Sequence, residues 1–200
     1  MSLLVTGSTG LVGRALLKRL ASRGGQPIRA GQRIPRDDDL PTEVTTMRMP
    51  SLDASASSRA ALAGTETVIH LAARVHVMND RAADPLAAFR VVNTAGTLTL
   101  ARQAAAAGIR RFIFVSSVKV NGESTEAGHP FSAANTPAPQ DPYGISKREA
   151  EDGLREIAAA TGMEVVIVRP PLVYGPGVKA NFAALEIPQH LLTGGGLADE

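Results

Sequence analysis

The sequence predicts an α/β fold: a doubly wound parallel sheet with helices on both faces. Three observations carry that expectation. Short apolar runs alternate with helical patterns along most of the chain, the order expected of repeated β-α-β units. The runs are apolar at consecutive positions, as in strands buried on both faces. The first run passes directly into the glycine-rich turn Gly7-Ser-Thr-Gly10-Leu-Val-Gly13.

Taken in order, Leu3 to Thr6 is the first strand. The pattern Leu11, Ala15, Leu16, Leu20 predicts a helix that stops at Arg23-Gly24-Gly25. Ile28 to Gln32 and Val44 to Met49 are the second and third strands. Ser55 to Ala63 predicts a short helix ended by Gly64, and Thr67 to Ala72 a buried strand. An Ala-rich helix spans roughly Pro85 to Ala107 and closes at Gly108. Phe112 to Ser116 is the fifth strand. Residues 119 to 141, rich in Pro, Gly, Ser, Thr and Asn, form a long loop, a feature that is usually functional in a compact domain. Asp141-Pro142 starts a helix well, because Asp caps the first turn and Pro has no amide to leave unpaired. That helix runs to about Thr161 with Gly162 as its stop, and Val165 to Val168 is the sixth strand.

Composition narrows the class. The chain of 200 residues is 44% hydrophobic, enough for one well-buried domain. It has no cysteine, which excludes disulfides, thiolate metal sites and cysteine nucleophiles. A net charge of +2 gives little reason to expect a nucleic-acid partner. The apolar start Met1-Ser-Leu-Leu-Val5 is too short for a signal or membrane segment, so a soluble cytoplasmic domain with no membrane span and no metal is expected.

The glycine turn lies between a strand and a helix, the setting in which such glycines matter. They permit a tight turn and close approach of a pyrophosphate to the backbone, and the helix N-terminus supplies amide donors. This predicts a Rossmann-type dinucleotide site. An acid usually ends the second strand of an NAD site. Gln32 stands there instead, followed by Arg33 with Arg36 nearby, and an Arg can pair with a 2′-phosphate. NADP is therefore favoured over NAD.

Tyr143-Gly-Ile-Ser-Lys147 sets a phenol and an ammonium four residues apart, on one helix face. A cation there would favour the phenolate and bring Tyr143 toward the range where it exchanges protons. Ser117 lies upstream, at the end of the fifth strand. His70 and His76 are expected to be packing or loop residues.

Jointly these features resemble the extended short-chain dehydrogenase/reductase family, also called the NAD-dependent epimerase/dehydratase family. The resemblance rests on Thr6-Gly-Ser-Thr-Gly10-Leu-Val-Gly13, His70-Leu-Ala-Ala73, Val92-Asn-Thr-Ala-Gly96-Thr, Ser116-Ser117, Tyr143-x-x-x-Lys147 and Arg169-Pro-Pro, which fall in family order over nearly the whole chain. The strings around Ser116 to Glu123 and Arg169 to Phe182 look like bacterial enzymes acting on UDP-linked N-acetyl-6-deoxy-4-keto sugars in surface-polysaccharide synthesis. The resemblance implies that Tyr143 is the general acid/base. It implies that Lys147 lowers the Tyr143 pKa and holds the nicotinamide ribose, and that Ser117, at the family's distance before Gly122, polarises the substrate oxygen. Gly7, Thr9, Gly10, Leu11, Val12, Gly13, Arg33, Ser51, Leu52, Leu71, Ala72, Ala73, Asn93 and Pro170 would join Tyr143 and Lys147 around the cofactor. Asn93 would hold the central strands and helix in place, and Asn181 with Ser117 would meet the substrate. Ser51 and Asp53 are alternative contacts to adenine.

The implied partners are a UDP-sugar and a second copy of the chain in a homodimer. The implied reaction is hydride transfer between NAD(P) and C4 of a UDP-linked 6-deoxy-4-keto sugar. A 4-epimerase using the same residues is the alternative, and a silent dinucleotide-binding module an alternative of another class. Family dehydratases carry Asp-Glu after the catalytic hydroxyl residue; Val118 and Lys119 stand there, which argues against dehydration. Family members are usually longer. The chain is therefore expected to be C-terminally truncated, with residues 1–175 forming the dinucleotide-binding domain and 176–200 only the start of the substrate-binding portion.

Overall fold

A computed structural model of the protein describes residues 2–36, 40–75, 83–125 and 127–175. Its centre is a six-stranded, wholly parallel sheet in the order β3-β2-β1-β4-β5-β6. The strands are β1 Leu3–Thr6, β2 Ile28–Gln32, β3 Val44–Arg48, β4 Thr67–His70, β5 Arg111–Val115 and β6 Glu164–Val168. The order reverses at β1, whose Thr6 pairs with Gly31 of β2 on one side and His70 of β4 on the other. In open α/β sheets, ligands bind in the crevice beyond the carboxyl ends of the strands at such a point.

Both faces are covered over the central strands, as expected, whereas one face of the edge strand β6 is exposed at Val166 and Val168. Successive strand residues point to opposite faces. Leu3, Val5 and Ile69 accordingly join Leu17 of helix α1 (Leu11–Arg23) in one apolar cluster. Leu4, Val68, Phe112 and Phe114 join the second, which includes Leu100 of α4 (Thr97–Ala106) and Leu154 of α5 (Pro142–Thr161). In a chain with no tryptophan, Phe112 and Phe114 supply aromatic bulk, and both rings pack against the fully buried His70.

Several elements differ from expectation for local reasons. The helix expected over 55–63 shrinks to α2, Arg59–Leu62. Asp53 Oδ1 takes the Ser55 amide and hydroxyl at 2.8 and 2.7 Å, and Gln103 Oε1 takes the Ser58 amide at 2.7 Å, so these groups are engaged outside the helix. β4 stops at His70, two residues early, because its pairing with β1 ends where Thr6 gives way to the Gly7 turn. The single helix expected over 85–107 is α3 (Pro85–Phe89), then a π-helical stretch over Arg90–Gly96, then α4. A short 3₁₀ turn over Val118–Val120 interrupts the long loop. α5 matches expectation closely: Asp141 Oδ1 accepts the Gly144 amide at 2.5 Å, Pro142 opens the helix, and Gly162 ends it at φ 74°.

No helix among the described residues is long and apolar enough to cross a membrane. Residues 176–200, and with them Asn181, lie outside the described residues, as does His76.

Candidate active site

A cleft of about 1300 Å³ opens at the carboxyl ends of β1, β2 and β4. Its floor is the Gly7–Gly10 turn. Gly7 has φ 68°, and a Cβ there would stand 2.6 Å from the Ala72 amide nitrogen. A Cβ on Gly13 would stand 2.3 Å from the Gly7 carbonyl oxygen. Both positions therefore require glycine, one for backbone conformation and both for close packing. The first turn of α1, directly behind this floor, carries no carboxylate, so no acid there opposes an anion at the helix N-terminus. This cradle fits a dinucleotide pyrophosphate.

Of the residues expected around the cofactor, Gly7, Thr9, Gly10, Arg33, Ser51, Leu52, Leu71, Ala72 and Ala73 line the cleft. Leu11, Val12 and Gly13 do not; they form the first turn of α1 behind the glycine floor. Asn93 is also absent from the lining. It is buried and works as a brace: its Oδ1 accepts the Arg74 amide at 2.8 Å, and its Nδ2 donates to Arg74 O at 3.0 Å and Ser146 Oγ at 3.1 Å. Pro170 lies outside the cleft too, its carbonyl accepting the Val118 amide at 3.0 Å, and Tyr143 and Lys147 are likewise not among the lining residues. Ser51 and Asp53 both reach the cleft, but the Asp53 carboxylate is engaged by Ser55, which holds its pKa low.

Sequence reasoning missed Arg14 and Ile34 as cleft residues. Arg14 follows Gly13 directly, and its Nε donates to the Thr9 carbonyl at 3.1 Å across the turn. Its position one helical turn after Gly10 was the available signal. At the end of β2, the buried Gln32 side chain accepts the Arg36 amide at 2.8 Å. The place of the usual acid thus holds a neutral amide turned onto the loop, with Arg33 exposed beside it.

Ser117, Tyr143 and Lys147 stand at the carboxyl end of β5 and the first turns of α5. Ser116 and Ser117 are adjacent in extended chain and divide their roles. Ser116 is buried, and its hydroxyl donates to Glu151 at 2.6 Å. Ser117 Oγ accepts the Lys119 amide at 3.2 Å, and its hydroxyl is hydrogen-bonded to the Tyr143 phenol, so the two groups form one polar pair in the site. Tyr143 is half-buried, with its ring edge against Phe89 at 5.9 Å.

The electrostatics differ from the expectation that Lys147 depresses the Tyr143 pKa. Burial pushes the phenol up, the nearby Asp141 charge adds to this, and the Ser117 hydroxyl works the other way. Tyr143 is thus held as a neutral phenol. Lys147 is buried, donates to Val115 O at 2.7 Å and lies 3.9 Å from the Phe114 ring centroid. Desolvation brings it down to about 7, against the pull of Glu151. The tuning of this pair comes from burial more than from mutual attraction.

Residues 3–193 match the model of the NAD dependent epimerase/dehydratase family. The chain is 50% identical over 186 residues to a UDP-glucose 4-epimerase of Vibrio cholerae, covering 92% of this chain and 55% of that protein. Among solved structures it resembles a Thermotoga maritima UDP-glucose 4-epimerase with UDP-glucose, at TM-score 0.75 and 28% identity over 88% of this chain and 57% of that one. It also resembles an Agrobacterium tumefaciens short-chain dehydrogenase/reductase with bound NAD, at TM-score 0.71 and 32% identity, over 84% of this chain and 48% of that one. The chain spans about half the length of the relatives it matches.

Proposed function

The chain belongs to the NAD dependent epimerase/dehydratase family, and from that membership we propose that it serves hydride transfer at C4 of a UDP-linked sugar. The observation that carries this reading is a neutral phenol, Tyr143, hydrogen-bonded to the Ser117 hydroxyl at the carboxyl ends of the same parallel strands beyond which the dinucleotide-shaped cleft opens. A bound nicotinamide dinucleotide supplies the hydride donor or acceptor. Tyr143 gives its proton to the C4 oxygen as that carbon is reduced, or takes it as the carbon is oxidised. Ser117, its acceptor side occupied by the Lys119 amide, donates to the same oxygen and polarises the carbonyl. Lys147, whose amine carries its proton below about pH 7, contributes to holding the ribose. Val118 and Lys119 offer no acid and base pair for dehydration; Lys119 is paired with Glu123 and Asp141.

Two outcomes share this step. Net reduction of a 4-keto sugar, as in surface-polysaccharide synthesis, is favoured by the neutral end of β2 with Arg33, which suits NADPH. Epimerisation with retained NAD is favoured by the likeness to the Vibrio cholerae UDP-glucose 4-epimerase. Incubation of the chain with NADPH or NADH and a UDP-4-keto-6-deoxy sugar separates them from UDP-glucose with NAD. Stoichiometric loss of absorbance at 340 nm supports reduction. UDP-galactose formed with no net cofactor change supports epimerisation. Cofactor binding without either turnover removes the proposal and leaves a binding module.

A further inference from the structure

Glu151 is a fully buried carboxylate that the chemistry above does not use. We propose that Glu151 is a positioning residue for the site, holding the Ser116-Ser117 step in place from beneath through a buried ion pair with Arg169 and supplying a buried anion one helical turn from Lys147. The inference rests on the functional reading just given.

The geometry is a clamp. Arg169 grips Glu151 with both arms of its guanidinium, Nε to Oε1 at 2.8 Å and Nη2 to Oε2 at 2.5 Å. Arg155 Nη2 adds a third contact at 3.0 Å, and the Ser116 hydroxyl a fourth at 2.6 Å. Arg169 is itself flanked by two backbone bonds to the Ser117 segment: Ser116 N to Val168 O at 2.7 Å and Val118 N to Pro170 O at 3.0 Å. Its Nη1 reaches Asn121 Oδ1 at 3.2 Å, past the 3₁₀ turn. Ser117 has φ −157° and ψ 149°, so its side chain and that of Ser116 point to opposite sides of the chain. Fixing Ser116 on Glu151 therefore fixes the direction in which Ser117 faces Tyr143.

The same carboxylate lies one helical turn after Lys147, on the buried side of α5. The charged and titratable groups around Lys147 are Glu151 on α5 and His70 on β4, and around Glu151 they are Lys147, Arg155 and Arg169. His70 is held neutral by its own burial, so Glu151 is the anion that sustains the Lys147 charge. A buried ion pair is a poor route to stability compared with apolar packing. Its retention beneath this hydroxyl and this amine fits a positioning task.

The test compares the whole chain with Glu151→Gln, and with the paired change Glu151→Leu and Arg169→Met, which removes both charges and remains informative where the single variant fails to fold. Lysine labelled with ¹³C at Cε reports the Lys147 titration, assigned by its loss in Lys147→Met. Turnover of UDP-glucose with NAD, and of a UDP-4-keto-6-deoxy sugar with NADPH, gives kcat and KM. The expected result is a Lys147 midpoint below the wild-type value, and kcat reduced more than tenfold with KM and cofactor affinity within about twofold. An unchanged midpoint overturns the proposal, as does an unchanged kcat in an enzyme that turns over either probe. If the wild-type chain turns over neither, the functional reading fails and the midpoint alone decides the role of Glu151.

Discussion

The Lys147 amine donates a 2.7 Å hydrogen bond to the Val115 carbonyl, so this side chain is anchored to the end of β5 although it belongs to α5. The bond joins the two elements that carry Ser117 and Tyr143. It also puts an amine where burial weakens its hold on a proton, down to about 7 from the usual 10.5.

That depression gives a pH-dependent stability with a definite sign. Between about pH 7 and 10.5 the unfolded chain binds a proton at Lys147 that the folded chain does not, so this residue makes stability rise with pH across that window. Below it, the cost of the buried ammonium is fully present. Lys147→Met removes the dependence. Melting temperatures of both proteins from pH 6 to pH 10 should show the variant gaining most at pH 6 and losing that advantage steadily toward pH 10. A difference flat with pH would show that Lys147 titrates normally.

Tyr143→Phe should abolish turnover while leaving cofactor affinity within about twofold. The phenol is the group proposed to carry the proton, and the ring contact with Phe89 survives the change. Loss of a general acid costs about 10²–10⁴ in rate. Single-turnover absorbance with NADPH and a 4-keto sugar, beside a binding titration, separates the two effects. A variant with full activity would assign the proton to another group.

Gly7→Ala should damage both the fold and the cleft. The new Cβ would sit 2.6 Å from a backbone nitrogen at a residue with φ 68°, so the turn must open. The expected cost is about 1–3 kcal/mol of stability from a strained φ alone, with cofactor affinity reduced at least tenfold. Urea unfolding and quenching titration of NADPH fluorescence check the two parts independently.

The fold was legible where local pattern and tertiary role agree. β1, the glycine turn and α5 follow from residues such as Gly7, Asp141 and Gly162, whose conformational roles are local. Elsewhere the sequence carried less. Nothing local tells that Gln103 would take the Ser58 amide and cut α2 to one turn, because the partners are distant in sequence. The π-helical stretch is likewise invisible in periodicity, yet it carries Asn93, which bridges Arg74 and Ser146. In the site, the identities of Ser117, Tyr143 and Lys147 were readable, but the source of their tuning was not. The helical spacing suggested a cation acting on a phenol, whereas burial of each group dominates. Glu151 passed unnoticed because Arg169 and Ser116 become its neighbours only after folding.

Arg33→Ala should weaken NADPH binding about tenfold or more and leave NADH nearly unchanged, if Arg33 pairs with a 2′-phosphate; a hydrogen bond to a charged group is worth about 1.5–3 kcal/mol. The Gln32 amide is committed to the Arg36 backbone and supplies no charge of its own. Dissociation constants for both cofactors, at two salt concentrations, are the measurement. Equal losses for both would place Arg33 against a group they share and remove the preference for NADP.

Asp141→Asn isolates one electrostatic contribution to Tyr143. Asn can still accept the Gly144 amide as an N-cap, so α5 should keep its first turn with little loss of stability. The carboxylate charge, which disfavours the phenolate, is gone. The Tyr143 pKa should therefore fall, and any activity that needs the protonated phenol should decline at lower pH than in the wild type. The chain has two tyrosines, Tyr143 and Tyr174, and no tryptophan. Tyrosinate absorbance near 295 nm thus resolves the titration directly, with Tyr143→Phe identifying which step belongs to the site. A Tyr143 step that stays in place would leave burial as the sole cause of its high pKa.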